Sequence, residues 1–232
     1  MLQSILRKLR FWNLLSQEPE KNSNEPQDLL LSPDLEKSLA ALRKVLGNSM
    51  DVVIREFIIG AKTPKNAALI FYDGLINNKT LHESIMQPLM SDARISKIEI
   101  SSLEDIQKSI ISVGELSLVH SLDEIVSKCL FGDTILLVQG FSSALAINIP
   151  GWESRGIQEP PTEAVVRGPR EGFTETLRTN MAMIRRKISH PDLTFDIMII
   201  GKRTHTQVSI AYLKGLTNGR LVEEIKRRLK QI

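Results

Sequence analysis

Cysteine, aromatic residues and long apolar runs are all scarce in this sequence. Cys129 is the single cysteine among 232 residues, which excludes an internal disulfide and favours a reducing compartment over a small secreted domain. Aromatic residues make up only 5% of the chain. No apolar run approaches the roughly 18 residues that a membrane-spanning helix needs. The sequence therefore predicts a water-soluble segment with an ordinary apolar core.

The positive charge of the chain is concentrated at its two ends. Arg7, Lys8 and Arg10 lie in an amphipathic arm over residues 1–15, more cations cluster near the carboxyl terminus, and the body between them is mildly acidic. A nucleic-acid-binding protein needs a basic face with aromatic or base-reading residues, so we expect no nucleic-acid partner. The arm either lies on an anionic membrane surface or packs on its own domain or a partner. With the polar linker that follows, it occupies residues 1–32.

Hydrophobic periodicity and turn residues predict a first α/β subdomain over residues 33–150. Apolar side chains at helical spacing alternate with apolar runs of strand length. The strand-like runs 52–60 and 67–74 flank a turn and predict a β-hairpin. The remaining predicted elements are helices over 33–46, 80–89, 103–111 and 122–130 and strands over 115–119, 133–139 and 144–149.

A second α/β subdomain is predicted over residues 151–232. The passage 153–172 is rich in glycine and proline and has neither helical nor strand periodicity, which predicts a hinge. Thr174 is positioned to cap the next helix, and strands over 195–200 and 208–213 precede a last helix. The predicted fold class is therefore α/β, with two small subdomains in which mixed sheets with β-hairpins are flanked by helices.

The two predicted hairpins resemble each other in sequence. Phe57–Asn77 aligns with Met198–Asn218 without a gap, and the alignment matches Gly60 with Gly201, Thr63 with Thr204, Gly74 with Gly215 and Asn77 with Asn218. Two related α/β halves explain this agreement. Convergence is the alternative, because a helix–hairpin–helix unit favours glycine at the turn and at the strand exit.

Motifs for catalysis, metal binding and cofactor binding are missing. Gly140–Ala144 carries part of a nucleophile-elbow pattern, but the last glycine is absent and a strand follows, so a hairpin turn is the better interpretation. The chain has no phosphate-binding loop. Its four histidines lie in unrelated elements without a second ligand at helical spacing, and Cys129 is predicted to be a core residue. We therefore expect no enzyme activity, no catalytic residue, no metal site and no cofactor.

The segment 159–180 carries more charge and backbone constraint than a plain connection requires. A Gly-Pro step within Arg167–Glu171 fixes an extended bend, and Gly172 frees the chain to enter the next helix. Two arginines and a glutamate then surround the amino end of that helix, where backbone N–H groups suit a carboxylate, a phosphate or an acidic partner side chain. The alternative is an arginine–glutamate lattice that holds the loop between the two halves.

The octapeptide Val166–Phe173 (VRGPREGF), with Asn180 and Ile184–Arg186, makes the sequence recognisable. It closely resembles the A subunit of the nutrient germinant receptors of bacterial endospores, the GerA-type spore germination protein family. The resemblance covers nearly the whole chain and its motif has no identifiable departure. We expect the binding or interface residues to be Arg167, Gly168, Pro169, Arg170, Glu171, Gly172, Asn180, Arg185 and Arg186.

The resemblance implies a function and a setting. The family's A subunit continues into several membrane spans and assembles with a transporter-like B subunit and a lipoprotein C subunit in the spore inner membrane. This chain is then expected to be the N-terminal soluble domain, on the cytoplasmic side, which transmits the sensing of amino acids or sugars to the membrane part of the receptor. Further A subunits are additional candidate partners. The alternative function is direct binding of a small germinant in the cleft between the two subdomains.

Overall fold

The computed structural model describes most of the chain from Leu30 onward. The described residues up to Pro191 belong to one compact unit, and Asp192–Ile232 belong to a second. The second subdomain predicted from the sequence begins earlier, at residue 151, and this division stays a prediction because nearly all of the expected hinge lies outside the described residues. The structure describes residues 30–60, 64–91, 101–109, 111, 115–151 and 172–232.

The first unit is built on a sheet with five described strands. Their order in the sheet is β1-β2-β4-β5-β3, and every described pair is antiparallel. The predicted α/β class is confirmed, with antiparallel rather than mixed sheets, because hairpins join β1 to β2 and β4 to β5 and reverse the chain at each step. The strands are β1 (Val52–Ile59), β2 (Lys65–Tyr72), β3 (Leu116–Val119), β4 (Asp133–Val138) and β5 (Ala144–Asn148).

Helices cover both faces of this sheet. One apolar core joins the sheet to α1 (Leu35–Leu46) and α4 (Leu122–Leu130). The opposite core joins it to α2, which runs through residues 78–91 with a π-helical middle at Leu81–Met86, and to α3 (Leu103–Ser109). The central strands β2 and β4 are therefore buried on both faces, which explains why their sequences are apolar runs rather than alternating patterns.

Two details of the first unit agree with the sequence analysis. Gly140 lies in the turn between β4 and β5 with φ 94°, so the partial nucleophile-elbow pattern is a hairpin turn. Cys129 is 1% exposed, and burial raises the pKa of its thiol. A buried neutral thiol acts as a small apolar side chain rather than as a nucleophile.

The first unit ends with α5 (Leu177–Lys187), and the second contains a hairpin and a helix. The hairpin consists of β6 (Leu193–Ile200) and β7 (Thr206–Leu213), and α6 (Gly219–Leu229) follows it. The side chain of Asn218 caps α6 by accepting a hydrogen bond from the backbone N–H of Arg220 at 3.0 Å. Lys226 Nζ lies 2.9 Å from Asp196 Oδ2 and ties α6 to β6.

The hairpins β1–β2 and β6–β7 match residue for residue. Their strand pairing begins at Val52↔Tyr72 and at Leu193↔Leu213, and each hairpin then keeps the same register over eight pairs. The glycines at the matching positions all have positive φ angles. These are Gly60 at 82°, Gly201 at 79°, Gly74 at 87° and Gly215 at 75°. The correspondence noticed in the sequence therefore extends to register and backbone conformation, as expected for two related units.

Candidate functional site

The expected interface residues fall into two groups. Arg167–Glu171 lie outside the described residues. Gly172, Asn180, Arg185 and Arg186 are described, and all of them lie on α5 or directly before it. The described members of the expected site therefore lie on α5 and in the residues that lead into it.

Asn180 holds the chain that leads into α5. Its side-chain oxygen accepts a hydrogen bond from the backbone N–H of Thr174 at 2.7 Å, and its side-chain nitrogen donates to the Thr174 carbonyl at 2.7 Å. The predicted cap at Thr174 is wrong, because Thr176 precedes the first helical turn and makes no side-chain cap bond. Asn180, expected at an interface, thus fixes the path of the chain after the half-buried Gly172.

Arg185 is fully buried, with 0% of its side chain exposed. Its Nε and Nη2 donate to the two carboxylate oxygens of Asp51 at 2.9 and 3.0 Å. Nη1 donates to the backbone carbonyl of His190 at 2.9 Å, and Nη2 also reaches Ser49 Oγ at 3.3 Å. This two-pronged pairing suits a planar guanidinium, and it joins α5 to the residue that immediately precedes β1.

The aromatic ring of Tyr72 completes this buried cluster. The guanidinium carbon of Arg185 lies 4.4 Å from the ring centre, a distance typical of a cation–π contact. Burial raises the pKa of the Tyr72 hydroxyl, although the positive charge of Arg185 acts in the opposite direction. The phenol is therefore neutral, and we refer to Arg185, Asp51, Ser49 and Tyr72 as the α5 latch.

A second set of contacts joins α5 to the turn that follows β2. Arg178 Nη1 lies 2.9 Å from Asp73 Oδ2. A Cβ atom at Gly74 would lie 2.9 Å from the Cβ of Ala182, so the helix approaches the turn closely because this residue has no side chain. Gly151 contacts the same turn, since its N–H donates to the Leu75 carbonyl at 3.0 Å. Gly151, directly before segment 152–171, and α5, which follows that segment, therefore both contact the turn 73–77.

Sequence reasoning missed the partners of Arg185. The helix carries Arg185, Arg186 and Lys187 in its last turn, a pattern typical of solvated cations that favour the helix dipole. Asp51 and Arg185 are 134 residues apart, and no local pattern links them. The one available signal was Asp51 itself, a carboxylate directly before a strand whose other residues are mainly apolar.

The contacts of α5 in the described residues hold parts of the first unit together. Within the part of the chain that the structure describes, no three His, Cys, Asp or Glu side chains are grouped as metal ligands would be. None of the described helices is long and apolar enough to cross a membrane. The latch carboxylate is already occupied by a guanidinium, so the arrangement holds two elements together.

Similar sequences occur among proteins of Bacillus species. The family model described as Bacillus/Clostridium GerA spore germination protein matches residues 40–232. Spore germination protein KA of Bacillus subtilis (strain 168) is 37% identical over 204 residues, covering 88% of this chain and 37% of that protein. Spore germination protein B1 of the same strain is 34% identical over 202 residues, covering 87% and 41%. The chain spans about two-fifths of the length of these relatives.

The similarity extends to a solved structure. The crystal structure of the N-terminal domain of the A subunit of the Bacillus megaterium spore germinant receptor GerK3 matches with a TM-score of 0.70 and 31% sequence identity. The match covers 89% of this chain and 74% of that chain. The fold described above is thus shared with that N-terminal domain.

Proposed function

Because the chain belongs to the GerA family of Bacillus/Clostridium spore germination proteins, we propose that it transmits nutrient sensing within a germinant receptor. It acts as the N-terminal domain of an A subunit, in complex with B and C subunits at the spore inner membrane, and faces the cytoplasm. Arg167–Glu171 and α5 form the interface through which an amino-acid or sugar signal reaches the membrane part. No bond-making step takes place in this domain.

The observation that supports this proposal is the attachment of α5. The α5 latch and the Arg178–Asp73 pair fix this helix on the first unit, and the chain passes from its carboxyl end into the second unit at Asp192. Gly151, directly before the segment 152–171 that carries Arg167–Glu171, and α5, which follows it, both contact the turn 73–77 of the first unit. A conformational change in that segment is therefore passed to α5, and the chain continues from α5 into the second unit.

Removal of the two arginine side chains in the full-length receptor tests this function. We expect Arg167→Ala and Arg170→Ala spores to respond to nutrients more slowly or not at all, because each change removes an interface cation. Immunoblots must show an unchanged amount of A subunit, and the isolated chain must keep its circular dichroism spectrum. Lys44→Ala, at an exposed position of α1, is the control. A normal nutrient response from both arginine variants would contradict the proposal.

Calorimetric titration of the 232-residue chain separates transmission from direct germinant binding. Amino acids and sugars are added in turn, and the heat of binding is measured. We expect no saturable heat, because the described cluster around Arg185 is already filled by protein groups. Saturable binding that Arg167→Ala and Arg170→Ala abolish would instead support a germinant pocket and would overturn the transmission role of these residues.

A further inference from the structure

The turn that joins β6 to β7 carries two adjacent cations at its apex. Lys202 and Arg203 are both exposed. The N–H of His205 donates to the carbonyl of Gly201 at 3.2 Å, and these two residues have positive φ angles of 48° and 79°. The closed turn therefore holds both cations at the exposed end of the hairpin.

The positive charge of the second unit is balanced around α6 but not at this turn. Residues 192–232 contain eight Lys and Arg side chains and four Asp and Glu side chains, which gives a formal charge of +4. Three of these carboxylates pair with cations of α6, namely those of Asp196, Glu223 and Glu224. Neither Lys202 nor Arg203 forms an ion pair with a described residue. The described part of the chain thus leaves the charge of the turn unneutralised.

An exposed apolar side chain lies close to these cations. Ile199 is 64% exposed, and three residue steps place it at most roughly 10 Å from Lys202. In the first unit the aligned residue Ile58 is 61% exposed, and Pro64, which is aligned with His205, is exposed as well. There β2 already pairs with β4, so a further strand beside β7 would leave this end of the hairpin uncovered.

We propose that Ile199, Lys202 and Arg203, which we call the β6–β7 tip, dock on an anionic lipid surface. Headgroup phosphates attract the two cations, and the aliphatic side chain enters the boundary between the headgroups and the acyl chains. The inference rests on the proposed function, in which this domain lies at the cytoplasmic face of a membrane, because such a face carries a negative surface potential. The tip adds a contact with the bilayer to the contacts with receptor subunits.

Charge reversal at the β6–β7 tip tests the lipid contact. The 232-residue chain is sedimented with vesicles of phosphatidylglycerol and phosphatidylcholine in equal parts, and with vesicles of phosphatidylcholine alone. The parent should bind the first kind only, and more weakly as salt is added. Lys202→Glu/Arg203→Glu should weaken this binding at least about 30-fold. Lys44→Glu/Lys79→Glu makes the same change in net charge at exposed positions of the first unit and should weaken it by less than about threefold.

Three results would overturn the proposal. The parent could fail to bind the anionic vesicles, it could bind both kinds of vesicle equally, or the two double variants could bind equally well. The last result would assign any vesicle binding to another segment, such as the cationic arm over residues 1–15. Circular dichroism must show that both double variants keep the fold of the parent.

A substitution at Ile199 tests the apolar part of the tip. Ile199→Ser should weaken binding to the anionic vesicles about tenfold, whereas Ile58→Ser, at the matching position of the first unit, should leave it unchanged. Equal binding by these two variants would contradict the role of Ile199. Vesicle binding is measured without the receptor, so its failure is distinct from failure of the proposed function, which the nutrient response of Arg167→Ala and Arg170→Ala spores decides.

Discussion

The hairpins β1–β2 and β6–β7 share their register, their glycine conformations and the asparagine that follows, yet their surroundings differ. In the first unit β2 is a central strand with helices on both faces. In the second unit the described strands form a two-stranded sheet followed by α6. The helix before each hairpin differs too, because α1 buries a row of leucines whereas α5 buries Arg185. The same hairpin structure therefore occurs in two different tertiary environments.

The largest difference between the repeats is expected at Arg185 and its counterpart Lys44. Arg185→Met leaves the Asp51 carboxylate buried without a counter-charge, and we expect a loss of about 3–5 kcal/mol in unfolding free energy. Lys44 is exposed, so Lys44→Met should change the free energy by less than about 0.5 kcal/mol. Urea unfolding followed by circular dichroism measures both, and similar losses would show that the latch does not stabilise the first unit.

The two strand-exit glycines provide the next comparison. Gly74 and Gly215 both have positive φ angles, so either change to alanine should cost about 1–2 kcal/mol of backbone strain. Gly74→Ala should cost about 1–3 kcal/mol more, because the new Cβ meets Ala182, whereas nothing lies within 4 Å of a Cβ at Gly215. Urea unfolding measures the change in unfolding free energy for each variant. Equal changes at the two glycines would contradict the close packing of α5 against Gly74.

The two asparagine caps should behave alike. The side-chain oxygens of Asn77 and Asn218 each accept a backbone hydrogen bond at 3.0 Å, from Thr80 and Arg220. Asn77→Ala and Asn218→Ala should each lower helix stability by about 1 kcal/mol, measured as faster amide hydrogen exchange in the first turn of the following helix. Asn78→Ala, one residue inside the helix, is the control. A loss of helix stability at only one of the two caps would show that the repeats are equivalent in their strands but not in the helices that follow.

The smallest expected effect is a pH dependence of the second unit. Hydrogen bonds from Arg227 and Arg228 lower the pKa of Glu224 from 4.5 to about 2. A carboxyl with a lowered pKa in the folded state stabilises it above its unfolded pKa, and this contribution disappears as the pH falls from 4.5 toward about 2. The melting temperature monitored at α6 should fall modestly as the pH is lowered through this range, and the fall should be smaller for Glu224→Gln. An equal fall in the variant would argue against these contacts.

Local patterns predicted the described elements closely. The strand-like runs 52–60 and 67–74 correspond to β1 and β2, and the amphipathic stretch 122–130 corresponds to α4. The strands of the second hairpin begin two residues earlier than predicted, at Leu193 and Thr206. Each run carries its own periodicity and its own turn residues, so no knowledge of distant contacts was required.

The candidate site was only partly predictable. The segment around α5 was singled out because of its motif and its resemblance to the germination family. The roles of Asn180 and Arg185 as internal anchors were not, since both residues were expected at a binding site or interface. A side chain at the carboxyl end of an amphipathic helix satisfies the same local rule whether it faces water or a buried carboxylate.

The amino-acid pattern alone was sufficient for the α/β class, the repeated hairpins and the family, because each depends on residues close together in the chain. The tertiary structure decided that Arg185 pairs with Asp51 across 134 residues, that α5 packs against Gly74, and that β2 lies between two other strands. These outcomes depend on which surfaces exclude water together, and that is a property of the packed chain rather than of any local stretch.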